Sequence, residues 1–164
     1  MVEYTVTGSE IESGCLSSAT TAAAVRSIRA DGYCVLHNAM PPDIVDRLGR
    51  RMLQDIPAIL DLARPPHNFG WGNLQHDPPA ETKFLFPEVV ANRYVGAVTS
   101  EALGEGAHNG FYSGNTNMPR SRMQPVHVDT GHLWANQSHA HPACELVVNF
   151  APFGMDDVNG ATEV

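Results

Sequence analysis

The chain has 164 residues, and 18 acidic side chains against 10 lysines and arginines give it a formal net charge of −8. This charge disfavours a general nucleic-acid-binding protein, which needs a basic face to displace counterions from phosphates. No apolar run approaches the ~20 residues of a membrane-spanning helix. Three widely spaced cysteines favour a reducing compartment. We therefore expect one cytoplasmic globular domain that binds neither nucleic acid nor membrane.

The first part of the chain favours a helix followed by a strand. Residues 1–16 are polar, and we expect a flexible terminus there. Residues 17–30 predict a helix that Ser17 or Ser18 can cap, and Gly32 predicts its end. The apolar residues 33–36 then predict a short strand.

Two further helices are predicted before residue 104. Pro42 opens the first of them, because proline is tolerated in a first turn, and Pro57 kinks or ends it. Its apolar stripe has four-residue spacing and consists of Ile44, Leu48, Met52 and Ile56. Arg51 falls on the opposite face, where we expect solvent. Residues 64–85 are rich in proline and glycine and predict a long loop, and residues 86–103 predict a third helix.

After residue 104 the pattern changes to short apolar runs between glycine, proline and asparagine turns. These runs predict strands over residues 110–112, 123–129, 145–150 and 161–164. Helices first and strands later favour an α+β fold with an antiparallel sheet or barrel.

The His127-Val128-Asp129 triplet is the best candidate for chemistry. Because side chains alternate along a strand, His127 and Asp129 would share one face and could converge on one cation. Two histidines and one carboxylate on a face of Fe(II) leave positions open for a co-substrate and O₂, as in non-haem iron oxygenases. The competing interpretation is a solvated strand end.

Four ordered segments around this triplet resemble the phytanoyl-CoA dioxygenase family of oxidoreductases. They are GYCVL (32–36), QPVHVDTGHLW (124–134), LVVNFAP (146–152) and DDVNGATEV (156–164). The resemblance implies one oxygenase-like domain over residues 17–164. In that domain, helices (17–104) pack on a double-stranded β-helix, a jelly roll of cupin type (105–164).

The resemblance also implies a reaction and its ligands. His127 and Asp129 match the first histidine and the carboxylate of the iron triad. Fe(II), 2-oxoglutarate and O₂ would hydroxylate or desaturate a small organic substrate. Related halogenases carry a small residue in place of this carboxylate, so Asp129 favours hydroxylation or desaturation.

Six further residues are candidates for the site. Asn115, Asn117 and Asn149 would contact 2-oxoglutarate or substrate, although hydrogen bonding in turns or at strand edges also explains them. Gln124, His132 and Trp134 would line the substrate pocket. His132 is also a candidate for a replacement third ligand, and packing is the commoner role of a tryptophan.

One departure from the family pattern puts activity in doubt. Relatives continue from the N-G-A-T-E-V strand into a W-P-G-S/T-H segment that supplies the second histidine, and a later arginine binds 2-oxoglutarate. This chain stops at Val164, before both. We therefore expect an incomplete β-helix that self-associates through its unfinished sheet. The alternative function is an inactive remnant acting as a metal-binding, ligand-binding or interaction module.

A rival metal pattern lies nearby. His139, His141 and Glu145, flanked by Gly131 and Gly154, approximate the cupin motif, whose two histidines and glutamate hold a metal. Two of its three intervals have the wrong length, and Pro142 would disturb the strand. A polar loop is the alternative interpretation of these residues.

Overall fold

A computed structural model describes residues 2–139 and 141–163. The chain divides into two compact units. Unit 1 comprises residues 2–41, 87–109, 128–139 and 141–149, and unit 2 comprises residues 42–86, 110–127 and 150–163. Each unit combines at least one helix with a two-stranded sheet, which agrees with the predicted α+β class. Across the described ranges, no helix combines the length and the apolar character needed to cross a bilayer.

Ordered structure begins earlier in unit 1 than the sequence suggested. Where a flexible terminus was expected over residues 1–16, the chain forms strand β1 (Glu3–Thr5) and helix α1 (Gly8–Ser13). Thr7 and Glu10 build a capping box, in which the Thr7 backbone N–H donates to Glu10 Oε2 at 2.9 Å. Glu10 Oε1 also accepts from the Ser17 backbone N–H at 2.7 Å. The buried Glu10 carboxylate thus joins the starts of two successive helices.

The core of unit 1 lies between α2 (Ser18–Asp31) and α5 (Arg93–Leu103). Its buried centre consists of Ala24, Val25 and Val98. Ser17 caps α2, and Gly32 ends it in the left-handed conformation, so both predicted boundaries are confirmed. Strand β2 (Val35–His37) pairs in parallel with β1. It begins two residues later than the predicted strand and ends one residue later.

The predicted single helix over residues 86–103 is wrong. The chain instead forms a short helix α4 (Pro87–Val90) and then α5. Asn92 interrupts the pattern because its side-chain oxygen accepts from the backbone N–H groups of Tyr94 and Val95, both at 3.1 Å. Its amide nitrogen donates to the Ala39 carbonyl at 2.8 Å. Asn92 is therefore an N-cap rather than a residue inside a helix.

Unit 2 begins with the long helix α3 (Pro42–Leu60), which continues through Pro57. Its stripe is oriented as predicted, with Ile44 and Leu48 buried. Arg51 departs from the prediction, because its guanidinium donates to the Asp55 carboxylate and lies 5.2 Å from the centre of the Phe84 ring. This face of α3 is consequently covered rather than solvated.

The sheet of unit 2 pairs β3 (Asn73–His76) with β4 (Gly114–Asn117) in antiparallel fashion. Strand β3 lies inside the region that was expected to be a loop over residues 64–85. Leu74, at the centre of β3, is fully buried and pairs with Thr116. Burial of this leucine accounts for a strand in a segment otherwise dominated by turn residues.

The strands predicted in the last third of the chain are not observed. Residues 110–112, 123–129 and 145–150 are irregular in the described structure, as are residues 161–163, and Val164 lies outside the described residues. An apolar run forms a strand only when a neighbour completes its hydrogen-bond ladder. Within residues 2–139 and 141–163, β4 is the only strand after residue 104.

Candidate functional site

The predicted ligand segment is attached to the sheet of unit 2. After β4, the Met118 backbone N–H donates to the Gly72 carbonyl at 2.8 Å. The buried Asn73 side chain donates to the Arg122 carbonyl at 3.0 Å. Gly72 adopts a φ of 92°, and a Cβ there would overlap Ser121, so the close approach requires glycine. These contacts fix the chain as far as Arg122.

His127 has a defined tautomer. Its Nδ1 lies 2.7 Å from the Pro125 carbonyl oxygen, which can only accept, so Nδ1 carries the proton in this hydrogen bond. In the neutral ring the lone pair then resides on Nε2. Histidines that bind metals usually donate their second ring nitrogen to such a backbone carbonyl. The Phe69 ring lies 4.5 Å from the imidazole, centre to centre, and restricts its orientation.

Asp129 is exposed and lies in a bend rather than a strand. The alternation argument that placed His127 and Asp129 on one strand face therefore does not apply, because residues 123–129 form no strand. His127 belongs to unit 2 and Asp129 to unit 1.

Two of the candidate cofactor residues lie on β4. Asn115 and Asn117 are exposed and pair with Gln75 and Asn73 of β3. The Asn117 amide donates to the Gly160 carbonyl at 3.4 Å. It therefore lies beside the Asn159-Gly160 turn, in which Gly160 has a φ of 99°. A candidate cofactor residue thus meets one of the segments named in the resemblance, within unit 2.

The Asn159-Gly160 turn has its own local hydrogen bonds. Asp156 Oδ1 accepts from the backbone N–H groups of Val158 and Asn159 at 2.9 and 2.8 Å. The Asn159 side chain donates to the Gly154 carbonyl at 2.8 Å. This aspartate turn shapes the chain without help from a sheet.

The remaining candidates do not gather into one site. Gln124 is half-buried in unit 2, whereas Asn149 is exposed in an irregular part of unit 1. The rings of His132 and Trp134, also in unit 1, lie 5.9 and 6.1 Å from the His141 ring, both edge to face. His132 and Trp134 therefore contact a histidine of the rival pattern.

The rival cupin triad is not assembled. Among residues 2–139 and 141–163, no three histidine, cysteine, aspartate or glutamate side chains are placed to hold one metal ion. His139, His141 and Glu145 all fall within these ranges. The described structure therefore does not bring these three side chains together at one metal position.

The sequence predicted no functional role for His76. It lies at the end of β3, is buried, and its Nε2 is 2.8 Å from the Thr116 hydroxyl. Burial lowers the pKa of His76, and the negative charges of Asp55 and Asp77 oppose that shift without cancelling it. Only the alternation of β3, hidden among turn residues, could have indicated this environment from the sequence.

Comparison with models of known protein families finds none that matches the chain. The family resemblance therefore rests on the ordered segments of the sequence alone.

Proposed function

We propose that this chain belongs to an Fe(II)- and 2-oxoglutarate-dependent oxygenase of the phytanoyl-CoA dioxygenase type, which hydroxylates or desaturates a small organic molecule. His127 and Asp129 would supply two ligands to the iron. The bound group would supply the oxidising chemistry by coupling O₂ to the decarboxylation of 2-oxoglutarate to succinate. The proposal includes a double-stranded β-helix, and the sparse cysteines favour a cytoplasmic location.

The observation that carries the proposal is the tautomer of His127. Its Nδ1 donates to the Pro125 carbonyl at 2.7 Å, which assigns the lone pair of the neutral ring to Nε2. In metal-binding histidines, the ring nitrogen that does not bind the metal usually donates a hydrogen bond. That bond fixes the orientation of the ring and leaves the other nitrogen as the ligand. The carboxylate two residues later has the oxygen donors that complete a histidine and carboxylate set.

The contact between Asn117 and Gly160 gives independent support. In the resemblance, the turn at Asn159-Gly160 leads towards the far half of the site, and Asn117 is a candidate for contact with 2-oxoglutarate or substrate. The 3.4 Å hydrogen bond joins these two segments within unit 2. Segments far apart in the sequence are thereby adjacent, as an oxygenase pocket requires.

The donor set is incomplete among the described residues. Iron of this type requires a third protein ligand, and no group of three suitable side chains occurs in the described ranges. The resemblance assigns the third ligand to a W-P-G-S/T-H segment and the partner of the far carboxylate to an arginine. The Arg122 backbone carbonyl accepts a hydrogen bond from the Asn73 side chain.

The test is an anaerobic titration with Fe(II) and 2-oxoglutarate, monitored through the visible charge-transfer band. Any band that wild type develops should be abolished by His127→Ala and by Asp129→Ala. His141→Ala is the matched control, because His141 makes the same type of contact, from Nδ1 to the Pro142 carbonyl at 2.8 Å. Loss of the band in the control alone would refute the assignment of the ligands.

Turnover gives a second test. A chain extended by its own downstream sequence, if that encodes W-P-G-S/T-H, should convert 2-oxoglutarate to succinate. We expect the 164-residue chain to make no succinate above an iron-only control. Coupled turnover by the shorter chain would show that a described residue, with His132 as the first candidate, completes the ligand set.

A second candidate function is an interaction module. Large apolar side chains in unit 2 are almost fully exposed, with Met123 at 91%, Val126 at 105% and Val158 at 90%. Exposed apolar groups in this density are typical of surfaces that associate with another chain. Self-association without iron binding would favour this function over the oxygenase.

A further inference from the structure

Unit 2 contains a cavity of about 240 Å³ beside the end of α3. One wall comes from Ala58, Ile59 and Leu62, at and just after the last turn of α3. The opposite wall comes from Pro78, Pro79 and Phe84, which follow β3. Most of the lining is therefore apolar, and its volume falls below the ~300–1,000 Å³ of sites for drug-sized ligands. The cavity suits a small molecule.

Three polar side chains complete the lining: Asp55, His76 and Asp77. Both oxygens of Asp55 are engaged by the Arg51 guanidinium, so its charge is matched by a neighbour on α3. Asp77 is exposed, and its Oδ1 accepts from Gln75 at 3.1 Å and from the Ser113 hydroxyl at 2.7 Å. These two partners of Asp77 are neutral, so neither supplies a positive charge to pair with its carboxylate.

His76 adds a neutral polar group to the wall. Burial opposes its protonation, and a neutral imidazole offers one donor and one acceptor nitrogen. Its Nε2 is already paired with the Thr116 hydroxyl at 2.8 Å. The charged part of a ligand would therefore meet Asp77 rather than a competing imidazolium.

We propose that this cavity binds a small organic ammonium ion, with its apolar body against Leu62 and Pro78 and its charged nitrogen at Asp77. A carboxylate or phosphate would be repelled by Asp77, whereas the charge of Asp55 is matched by Arg51. The cations nearest the wall, Arg51 and Lys83, lie over the Phe84 ring at 5.2 and 4.8 Å. A bare metal ion fits poorly, because no three suitable side chains converge anywhere in the described ranges.

The experiment uses the full chain without iron, so its outcome is independent of the oxygenase proposal. Benzylamine and its neutral isostere benzyl alcohol are titrated and followed by amide chemical shifts in two-dimensional NMR. Benzylamine should saturate shifts around Leu62, Gln75 and Asp77. Its Kd should be about ten-fold lower than that of benzyl alcohol, the usual benefit of a charge-assisted hydrogen bond.

Variants separate the charge from the cavity. Asp77→Asn should remove the preference for benzylamine, whereas Asp61→Asn, an exposed aspartate that does not line the cavity, should preserve it. Ala58→Trp, at an exposed lining position, should fill the space and abolish binding of both probes. Equal affinities for the two probes, an unchanged preference in Asp77→Asn, or no saturable binding at all would each overturn the proposal.

Discussion

The core of unit 1 and the segment that carries the predicted ligands are organised in different ways. Helices α2 and α5 bury Ala24, Val25 and Val98, and each helix has a side-chain cap at its N-terminus. Residues 118–163, here called the ligand segment, contain no regular helix or strand in their described part, which omits Ala140. Most of the large apolar side chains of the ligand segment are exposed.

The difference reflects where the stabilising partners are in the sequence. A helix satisfies its own backbone groups, and its caps lie within a few residues. A strand needs a neighbour that supplies the other side of the ladder, and in this chain the neighbours of β3 and β4 are each other. The ligand segment has apolar runs typical of strands, but none of its described residues pairs in a strand ladder.

The largest difference in stability between the two regions is expected from two leucine-to-alanine substitutions. Leu74→Ala, at a fully buried position of β3, should lower the free energy of unfolding by about 2–5 kcal/mol. Leu133→Ala, in the ligand segment, should change it by less than about 0.5 kcal/mol. Urea denaturation measures both. A similar loss at both positions would show that the ligand segment is packed after all.

The sequence predicted the fold best where signals are local. Ser17 and Gly32 marked both ends of α2, and the stripe through Ile44 and Leu48 oriented α3 correctly. Asn92 was misread because an N-cap inside an apolar pattern looks like one residue of a longer helix. The T-x-x-E capping box at Thr7 was present in the sequence but was hidden by the polar character of the terminus.

The site could be predicted only in part, for a related reason. The type and spacing of His127 and Asp129 indicate metal chemistry, and the Pro125 carbonyl gives His127 a suitable tautomer. The expected strand geometry depended on a ladder partner that the described residues do not supply. His76 was not identified because its burial comes from the pairing of β3 with β4, two segments far apart in the sequence.

The loss of stability at acid pH tests the hydrogen bonds around Glu10 in unit 1. Hydrogen bonds from the Thr7 and Ser17 backbone, and then from the hydroxyls of Thr20 and Thr7, lower the pKa of Glu10 from 4.5 to about 2. Because the folded-state pKa is depressed, this stabilisation is complete above pH 4.5 and is lost as the pH falls towards 2. Glu10→Gln should therefore make the free energy of unfolding less dependent on pH between 4.5 and about 2.

The measurement is thermal or urea unfolding at several pH values within this window. Glu12→Gln, at an exposed glutamate of the same helix, is the control and should keep the wild-type slope. An identical slope in Glu10→Gln would mean that another carboxylate governs acid unfolding.

Two glycine substitutions in and after α1 test its backbone conformation, with a smaller expected effect on stability. Gly14 ends α1 with a φ of 69°, so Gly14→Ala should cost about 1–2 kcal/mol for the left-handed conformation. The new Cβ would also meet the Arg93 guanidinium, which can move aside. Gly8→Ala, in open space at the start of α1, should be neutral or stabilising. If both substitutions changed the free energy of unfolding equally in urea titration, Gly14 would not be required by its left-handed conformation.

The smallest change in stability is expected in the ligand segment itself. Val126 is fully exposed, so Val126→Ser removes no packing and should alter the free energy of unfolding by less than about 0.5 kcal/mol. If the exposed apolar groups drive association, however, the same change should shift the chain towards monomer in light scattering. Arg120→Ser is a polar control in the same segment and should leave association unchanged. A loss of stability in Val126→Ser similar to that in Leu74→Ala would mean that Val126 is packed in solution, and the contrast between the two regions would then fail.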